Sequence, residues 1–123
     1  MPVILVIDDQ PHTKMHVLHA IRDLGYKIKT LSNPKLTDRM IEVVAPDLVL
    51  INRQPDGFDS IPVFMGIKDR YPNLPVLLYA LKSDTAIRSL TQAIAMAFHE
   101  IRSLAARNRK PAAPGMGSSP LRA

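Results

Sequence analysis

Two short apolar segments of this chain end in side chains whose oxygens can hold a divalent cation. Val3–Ile7 is followed by Asp8 and Asp9, and residues 48–51 are followed by Asn52. Apolar runs of this length, bounded by turn residues, are typical of strands buried on both faces of a parallel sheet. Ligands of open α/β sheets gather at the carboxyl ends of such strands. We therefore expect Asp8, Asp9 and Asn52 to share one crevice.

Strand and helix signals alternate along the first 80 residues. Pro11, Pro34 and Pro62 each stand in the first turn of a predicted helix, and an apolar or alternating strand segment follows each of these helices. This alternation predicts an α/β fold in which helices cover both faces of a parallel sheet. The predicted apolar face of the second helix consists of Leu36, Met40, Val43 and Val44.

Composition limits the possible classes of protein. The chain has 123 residues, 46% of them hydrophobic and 22% charged, which is typical of one globular domain. It contains no cysteine, so disulfides, thiolate metal sites and cysteine nucleophiles are excluded. The first apolar run is too short for a signal peptide, and no run approaches the roughly 20 apolar residues of a membrane span. We expect a cytoplasmic protein without membrane contact.

The net charge of +5 is concentrated near the C-terminus. Residues 1–99 contain 11 Lys and Arg against 10 Asp and Glu, whereas residues 100–123 contain 5 against 1. A basic segment of this kind can attract nucleic acid. We favour a solvated segment instead, because no aromatic side chain accompanies the basic residues to stack on bases. The basic patch consists of Arg102, Arg107, Arg109 and Lys110.

Several motifs, taken together and in this order, resemble the receiver domain of two-component response regulators. They are Ile7-Asp8-Asp9, Gly25-Tyr26, Pro46-Asp47-Leu48-Val49-Leu50, Asp59 and Leu74-Pro75-Val76. The resemblance covers about residues 1–90. It implies a flavodoxin-like three-layer sandwich with strand order 2-1-3-4, and a site where acidic residues bind Mg²⁺ and an aspartate accepts a phosphoryl group.

The resemblance also shows where this chain departs from the family. Asp8 and Asp9 match the metal-binding acids, and Gln54 matches the residue whose backbone carbonyl completes the metal shell. The phosphoacceptor position is Asn52, whose neutral amide is not a competent nucleophile. The position of the sensor hydroxyl is Ala80, and the family's lysine after a fifth strand has no counterpart. We therefore expect a degenerate pseudo-receiver without a cofactor, except for weak Mg²⁺ binding by Asp8 and Asp9 or a purely structural role of these two acids.

No strand signal follows Ala80, so the sheet is predicted to stop at the fourth strand. We expect an α/β body over residues 1–82, a long helix over residues 83–110, and a disordered basic tail rich in Pro, Gly and Ser over residues 111–123. The helix carries an apolar stripe at alternating steps of three and four, which either packs on the body or forms a homodimer. We favour self-association. The stripe consists of Ile87, Leu90, Ile94, Ala97, Phe98, Ile101 and Leu104.

Three histidines lie on the first predicted helix. His12, His16 and His19 are spaced by four and three residues, which places them on one side of that helix. Neutral imidazoles at such spacings can share a metal ion. The preferred interpretation is that they bind nothing, as is usual for histidines on a helix surface.

The sequence thus predicts a non-enzymatic receiver-like signalling or scaffold domain that is not phosphorylated by the usual aspartyl route. Its expected partners are a second copy of itself and an unidentified signalling protein. One alternative is an atypical response regulator that still acts in a phosphorelay. A second alternative, which we consider weaker, is a nucleic-acid-binding adaptor that uses the basic C-terminal helix.

Overall fold

The structure is a computed structural model that describes residues 2–53, 58–80 and 84–109. The side chains of residues 84–87 and 101–109 lie outside this description. The elements in chain order are β1 (Val3–Ile7), α1 (Pro11–Arg22), β2 (Lys27–Leu31), a 3₁₀ turn (Pro34–Leu36), α2 (Thr37–Val44), β3 (Leu48–Asn52), α3 (Ser60–Arg70), β4 (Val76–Tyr79) and α4 (Asp84–Arg109).

The chain divides into two compact units, Met1–Thr91 and Gln92–Ala123. The first unit contains the sheet, the helices α1 to α3 and the candidate site, whereas α4 begins in the first unit and continues into the second. In the part of the chain that the structure describes, no helix combines the length and the apolar character needed to cross a membrane.

The four strands form one parallel sheet in the order β2-β1-β3-β4, which confirms the predicted fold class. Ile7 pairs with Ile51, and Asn52 pairs with Tyr79. Asp8 follows Ile7 directly and therefore lies level with Asn52 and Tyr79. Neighbouring residues at one level of a sheet point to the same face, so these three polar side chains form a row across β1, β3 and β4. Among the described residues, no strand pairs with the outer edge of β4.

The central strands are buried because their residues are apolar on both faces. All five residues of β3 are buried, and the last four residues of β1 have no exposed surface. On one face, the core cluster consists of Leu5, Ile7, Leu31, Ile41, Val49, Ile51 and Ile67. Ile4 and Val6 alternate with Leu5 and Ile7 and so point away from this cluster. Burial of both faces of β1 and β3 fixes the positions of their carboxyl ends.

The starts of α1 and α3 show how the sequence places the helices beside these ends. Pro11 occupies the first turn of α1, where a missing backbone N–H is tolerated, and the extended residue Gln10 precedes it. The side chain of Asp59 caps α3 by accepting a hydrogen bond from the N–H of Ile61 at 3.3 Å. Asp59 is therefore the N-cap of α3, and Ser60 is its first helical residue.

The predicted apolar face of α2 is wrong in two of its four residues. The side chains of Val43 and Leu36 are 76% and 46% exposed, whereas Ile41 is 5% exposed and belongs to the core cluster. The reason is the 3₁₀ turn Pro34–Leu36, which has three residues per turn and shifts the phase of the helix that follows. Thr37, the first residue of α2, is buried one turn before Ile41.

Candidate functional site

The row of Asp8, Asn52 and Tyr79 brings three buried polar side chains to the carboxyl edge of the sheet. Asp8 has no exposed surface, Asn52 is 2% exposed and Tyr79 is 5% exposed. Thr13, in the first turn of α1, joins them from the side of the helix. The predicted proximity of Asp8 and Asn52 is thus observed, and two hydroxyl groups accompany them.

Four hydrogen bonds converge on the carboxyl group of Asp8. Its Oδ1 accepts from the backbone N–H of Gln10 at 2.7 Å and from Nδ2 of Asn52 at 2.8 Å. Its Oδ2 accepts from the hydroxyl of Thr13 at 2.8 Å and from that of Tyr79 at 2.6 Å. A carboxylate offers about four lone-pair directions, so neutral donors of the protein occupy all of them.

The side-chain amide of Asn52 presents its nitrogen to the acid. Besides Asp8, the Nδ2 group donates to the hydroxyl oxygen of Thr13 at 3.1 Å, so both of its hydrogens are used. The Oδ1 atom of Asn52 is buried without a hydrogen-bond partner among the described residues. An aspartate at this position would lose both donors and would place a second carboxylate next to Asp8.

Tyr79 acts as a fixed hydrogen-bond donor. Burial raises the pKa of its phenol far above the ordinary value, and the hydrogen bond to Asp8 and the negative charge of that group raise it further. The raised pKa favours the protonated hydroxyl, which donates to Oδ2 of Asp8.

Asp9 makes different hydrogen bonds from Asp8. It is half-buried, and it accepts from the backbone N–H of Phe58 at 3.2 Å and from the side-chain amide of Gln10 at 3.3 Å. The first of these contacts joins the end of β1 to the segment that leads into α3. Asp9 therefore stabilises the surroundings of the site and does not share a donor atom with Asp8.

The donor set does not fit a hard divalent cation. Such a cation needs several oxygen lone pairs directed at one point, whereas those of Asp8 are directed at N–H and O–H groups. Among the described residues, no group of three His, Cys, Asp or Glu side chains is arranged to hold a metal. Weak Mg²⁺ binding by Asp8 and Asp9 stays a prediction, and an ion at Asp8 would have to displace at least one donor.

Two residues of this network, Thr13 and Tyr79, were not predicted from the sequence. The sequence placed the sensor position at Ala80, which follows β4, is half-buried and carries only a methyl group. The sequence signal for Tyr79 was its residue type, because a tyrosine at the end of an aliphatic strand needs a hydrogen-bond partner for its hydroxyl. Gln54 lies outside the described residues.

The residues predicted on α4 are only partly described. Leu90, Ile94 and Phe98 are buried in the single chain, and Ala97 is half-buried. The remaining stripe residues, Ile87, Ile101 and Leu104, have side chains outside the description, as do Arg102, Arg107 and Arg109 of the basic patch, and Lys110 lies beyond the described residues.

Solved structures of receiver domains are similar to this chain. A response regulator receiver domain protein from Clostridium thermocellum gives a TM-score of 0.69 at 18% identity, covering 85% of this chain and 99% of that one. A two-component transcriptional regulator, AraC, from Clostridium phytofermentans gives 0.70 at 17% identity, with coverage of 87% and 99%. The response regulator TrrA from Thermotoga maritima, in complex with Mg²⁺-BeF, gives 0.59 at 23% identity, with coverage of 70% and 78%. No family model and no curated protein matches the chain.

The chain has the receiver-domain fold. The similarity rests on the strand order β2-β1-β3-β4 and on the alternation of strands and helices. Sequence identity in the three comparisons is 17–23%. Within this receiver fold, the Asp8 network occupies the carboxyl edge of the two central strands.

Exchange of Asn52 tests whether its amide nitrogen stabilises Asp8. We expect Asn52→Asp to lower the free energy of unfolding by about 2–4 kcal/mol at pH 7 without divalent cations, because a donor is lost and a like charge is added. Urea unfolding followed by circular dichroism measures the change. The matched control is Asn33→Asp, an exposed N-cap position at which aspartate is equally suitable. Equal effects of the two exchanges would contradict the prediction.

Exchange of Tyr79 tests the second buried donor. Tyr79→Phe should lower the free energy of unfolding by about 1.5–3 kcal/mol at pH 7, because Oδ2 of Asp8 loses a hydrogen bond. Tyr71→Phe, at the half-buried end of α3, should change it by less than about 0.5 kcal/mol.

Tyr79→Phe should also change how the free energy of unfolding depends on pH. Above pH 10 the unfolded chain loses the phenol proton of Tyr79 while the folded chain keeps it, so the unfolded state binds fewer protons and stability falls as the pH rises. The wild type should therefore lose up to about 1.4 kcal/mol per pH unit more than Tyr79→Phe in that range. If the free energy of unfolding fell equally with pH in the two proteins above pH 10, the prediction that the folded chain keeps the phenol proton of Tyr79 would be wrong.

Proposed function

We propose that this chain is a receiver-fold signalling or scaffold domain that does not use an aspartyl phosphate and acts by binding other proteins. The observation that carries the proposal is the hydrogen bond from Nδ2 of Asn52 to Oδ1 of Asp8. This bond places an amide nitrogen where phosphoryl transfer to the protein requires a carboxylate oxygen.

Three features support the loss of phosphoryl chemistry. The amide of Asn52 has no anionic oxygen to attack phosphorus. The lone pairs of Asp8 are taken by neutral donors, so they are not available to a cation that would neutralise the phosphoryl oxygens. The side chain of Ala80 cannot donate a hydrogen bond to a phosphoryl group. In contrast, TrrA has been solved with Mg²⁺-BeF.

Exposed apolar side chains on α2 and α3 support binding of a protein partner. Val43 on α2 is 76% exposed and Met65 on α3 is 61% exposed. The two helices are bridged by an ion pair between Arg70 and Asp38, whose side-chain atoms lie 2.9 Å apart. Large exposed apolar side chains on neighbouring helices are a common feature of protein-binding surfaces. We propose that the partner contacts exposed apolar side chains of these two helices.

The phosphorylation test uses the full chain and two reference proteins. Incubation with Mg²⁺ and either acetyl phosphate or beryllofluoride should leave the intact mass and the stability of the wild type unchanged. The receiver domain of TrrA serves as the positive control for the reagents. Asn52→Asp serves as the matched variant, and it should regain stability with Mg²⁺ because a cation relieves the repulsion between two carboxylates. A phosphoryl adduct on the wild type would refute the proposal and favour an atypical response regulator in a phosphorelay.

Self-association through α4 is a further part of the proposal. It is supported by the free outer edge of β4 within the described residues and by the spacing of Ile87, Ile94 and Ile101 along the sequence. The burial of Leu90 limits the part of the stripe that a second copy can contact.

Light scattering after size-exclusion chromatography tests the dimer. We expect a dimer for the wild type and for Ser103→Glu, which changes the charge off the stripe. Ile101→Glu and Leu104→Glu place a charge on the stripe and should give monomers. A monomeric wild type at all accessible concentrations would refute self-association without affecting the phosphorylation test.

A further inference from the structure

Two exposed histidines contact each other on α1. The Nε2 atoms of His12 and His16 lie 3.2 Å apart. Their ring centroids are separated by 4.5 Å, and the ring planes are nearly perpendicular at 85°. The two residues are one turn apart, so the regular helix holds both rings on the same face.

This contact requires that one ring donates a proton and the other accepts it. At least one Nε2 atom therefore presents a lone pair to its neighbour. Two imidazole nitrogens bound to one tetrahedral zinc ion, at about 2.0–2.1 Å each, lie about 3.3–3.4 Å apart. The observed separation of 3.2 Å is close to that value. Chelation requires the donating ring to carry its proton on Nδ1 instead of Nε2, so that the Nε2 lone pairs of both rings face the ion.

We propose that His12 and His16 form a binding site for Zn²⁺ or a similar divalent transition-metal ion. Neutral imidazole is a preferred ligand of such ions, whereas Mg²⁺ and Ca²⁺ prefer oxygen ligands. Both side chains are exposed, so water or a donor from another molecule can complete the coordination sphere. Two histidines on one helix face, four residues apart, are also the helical part of known zinc motifs.

The affinity of this site is modest for two reasons. Among the described residues, no third His, Cys, Asp or Glu completes a group that could hold a metal, so this part of the chain supplies two ligands. The site also lies near the N-terminus of α1, where the helix dipole opposes a cation. Binding is therefore reversible and depends on the concentration of the ion.

The position of the site links the ion to the buried network. The same first turn of α1 carries the hydroxyl of Thr13, and the backbone N–H of Gln10 precedes it; both donate to Asp8. An ion that bridges His12 and His16 stabilises this turn in its folded form and not in the unfolded chain. Zinc binding therefore raises the stability of the folded domain from a site outside the sheet.

Titration of the full chain with ZnCl₂ tests the proposal. Isothermal calorimetry should show one saturable site per chain, and zinc should raise the melting temperature. His12→Gln and His16→Gln should each weaken binding at least tenfold and abolish the thermal shift. His19→Gln, an exposed histidine one turn further along α1, is the matched control and should keep both properties. MgCl₂ at the same concentration should not compete.

The following results would refute the proposed two-histidine site. Absence of saturable zinc binding to the wild type refutes it directly, and zinc binding that survives His12→Gln and His16→Gln places the ion elsewhere. Loss of binding in His19→Gln as well would replace the two-residue site by one of three histidines. Circular dichroism confirms that each variant is folded, and Cu²⁺ electron paramagnetic resonance counts the coordinating nitrogens independently of stability. Two nitrogens in the wild type and one in either variant are expected.

Discussion

The buried carboxyl group of Asp8 is the constraint on which the arrangement of the site depends. A carboxyl group that loses its solvent without gaining partners destabilises a fold by several kcal/mol. Here the partners are four neutral donors, which come from the residue before α1, from α1 itself, from β3 and from β4. All of these segments must keep their places for Asp8 to stay satisfied. Polar contacts therefore fix the carboxyl edge of the sheet in addition to the apolar packing beneath it.

In this chain, hydrogen bonds from the protein satisfy the carboxyl group of Asp8 at the edge of the sheet. A cation-binding site keeps carboxylate lone pairs open and lets the ion neutralise them. In this chain, Asn52 and Tyr79 supply two of the four hydrogen-bond donors that contact Asp8. A buried polar network in which nearly every group is bonded is rigid and specifies one conformation. The network therefore favours one conformation of the carboxyl edge of the sheet.

Much of the fold was predictable from the sequence because the apolar runs are short, buried and regularly spaced. The carboxyl ends of two such runs were sufficient to bring Asp8 and Asn52 together. The role of Tyr79 was not predictable, because only the pairing of β3 with β4 decides whether Tyr79 or Ala80 lies level with Asn52. Register depends on contacts between strands that are distant in sequence.

Local geometry explains the remaining differences. Helical periodicity assigned Leu36 and Val43 to the core, but the 3₁₀ turn before α2 changes the angle at which that helix presents its residues. Thr13 escaped prediction for a related reason. Its hydroxyl contributes only because the first turn of α1 lies against Asp8, and nothing in the spacing of the residues reports that contact.

The level placement of Asp8, Asn52 and Tyr79 makes substitutions in this row interdependent. An acid at position 52 would place a second negative charge beside Asp8, while the phenol of Tyr79 would still occupy Oδ2 of Asp8. The effect of a substitution on one strand therefore depends on the side chains of the other two strands. Free energies measured for single exchanges in this row are consequently not expected to add.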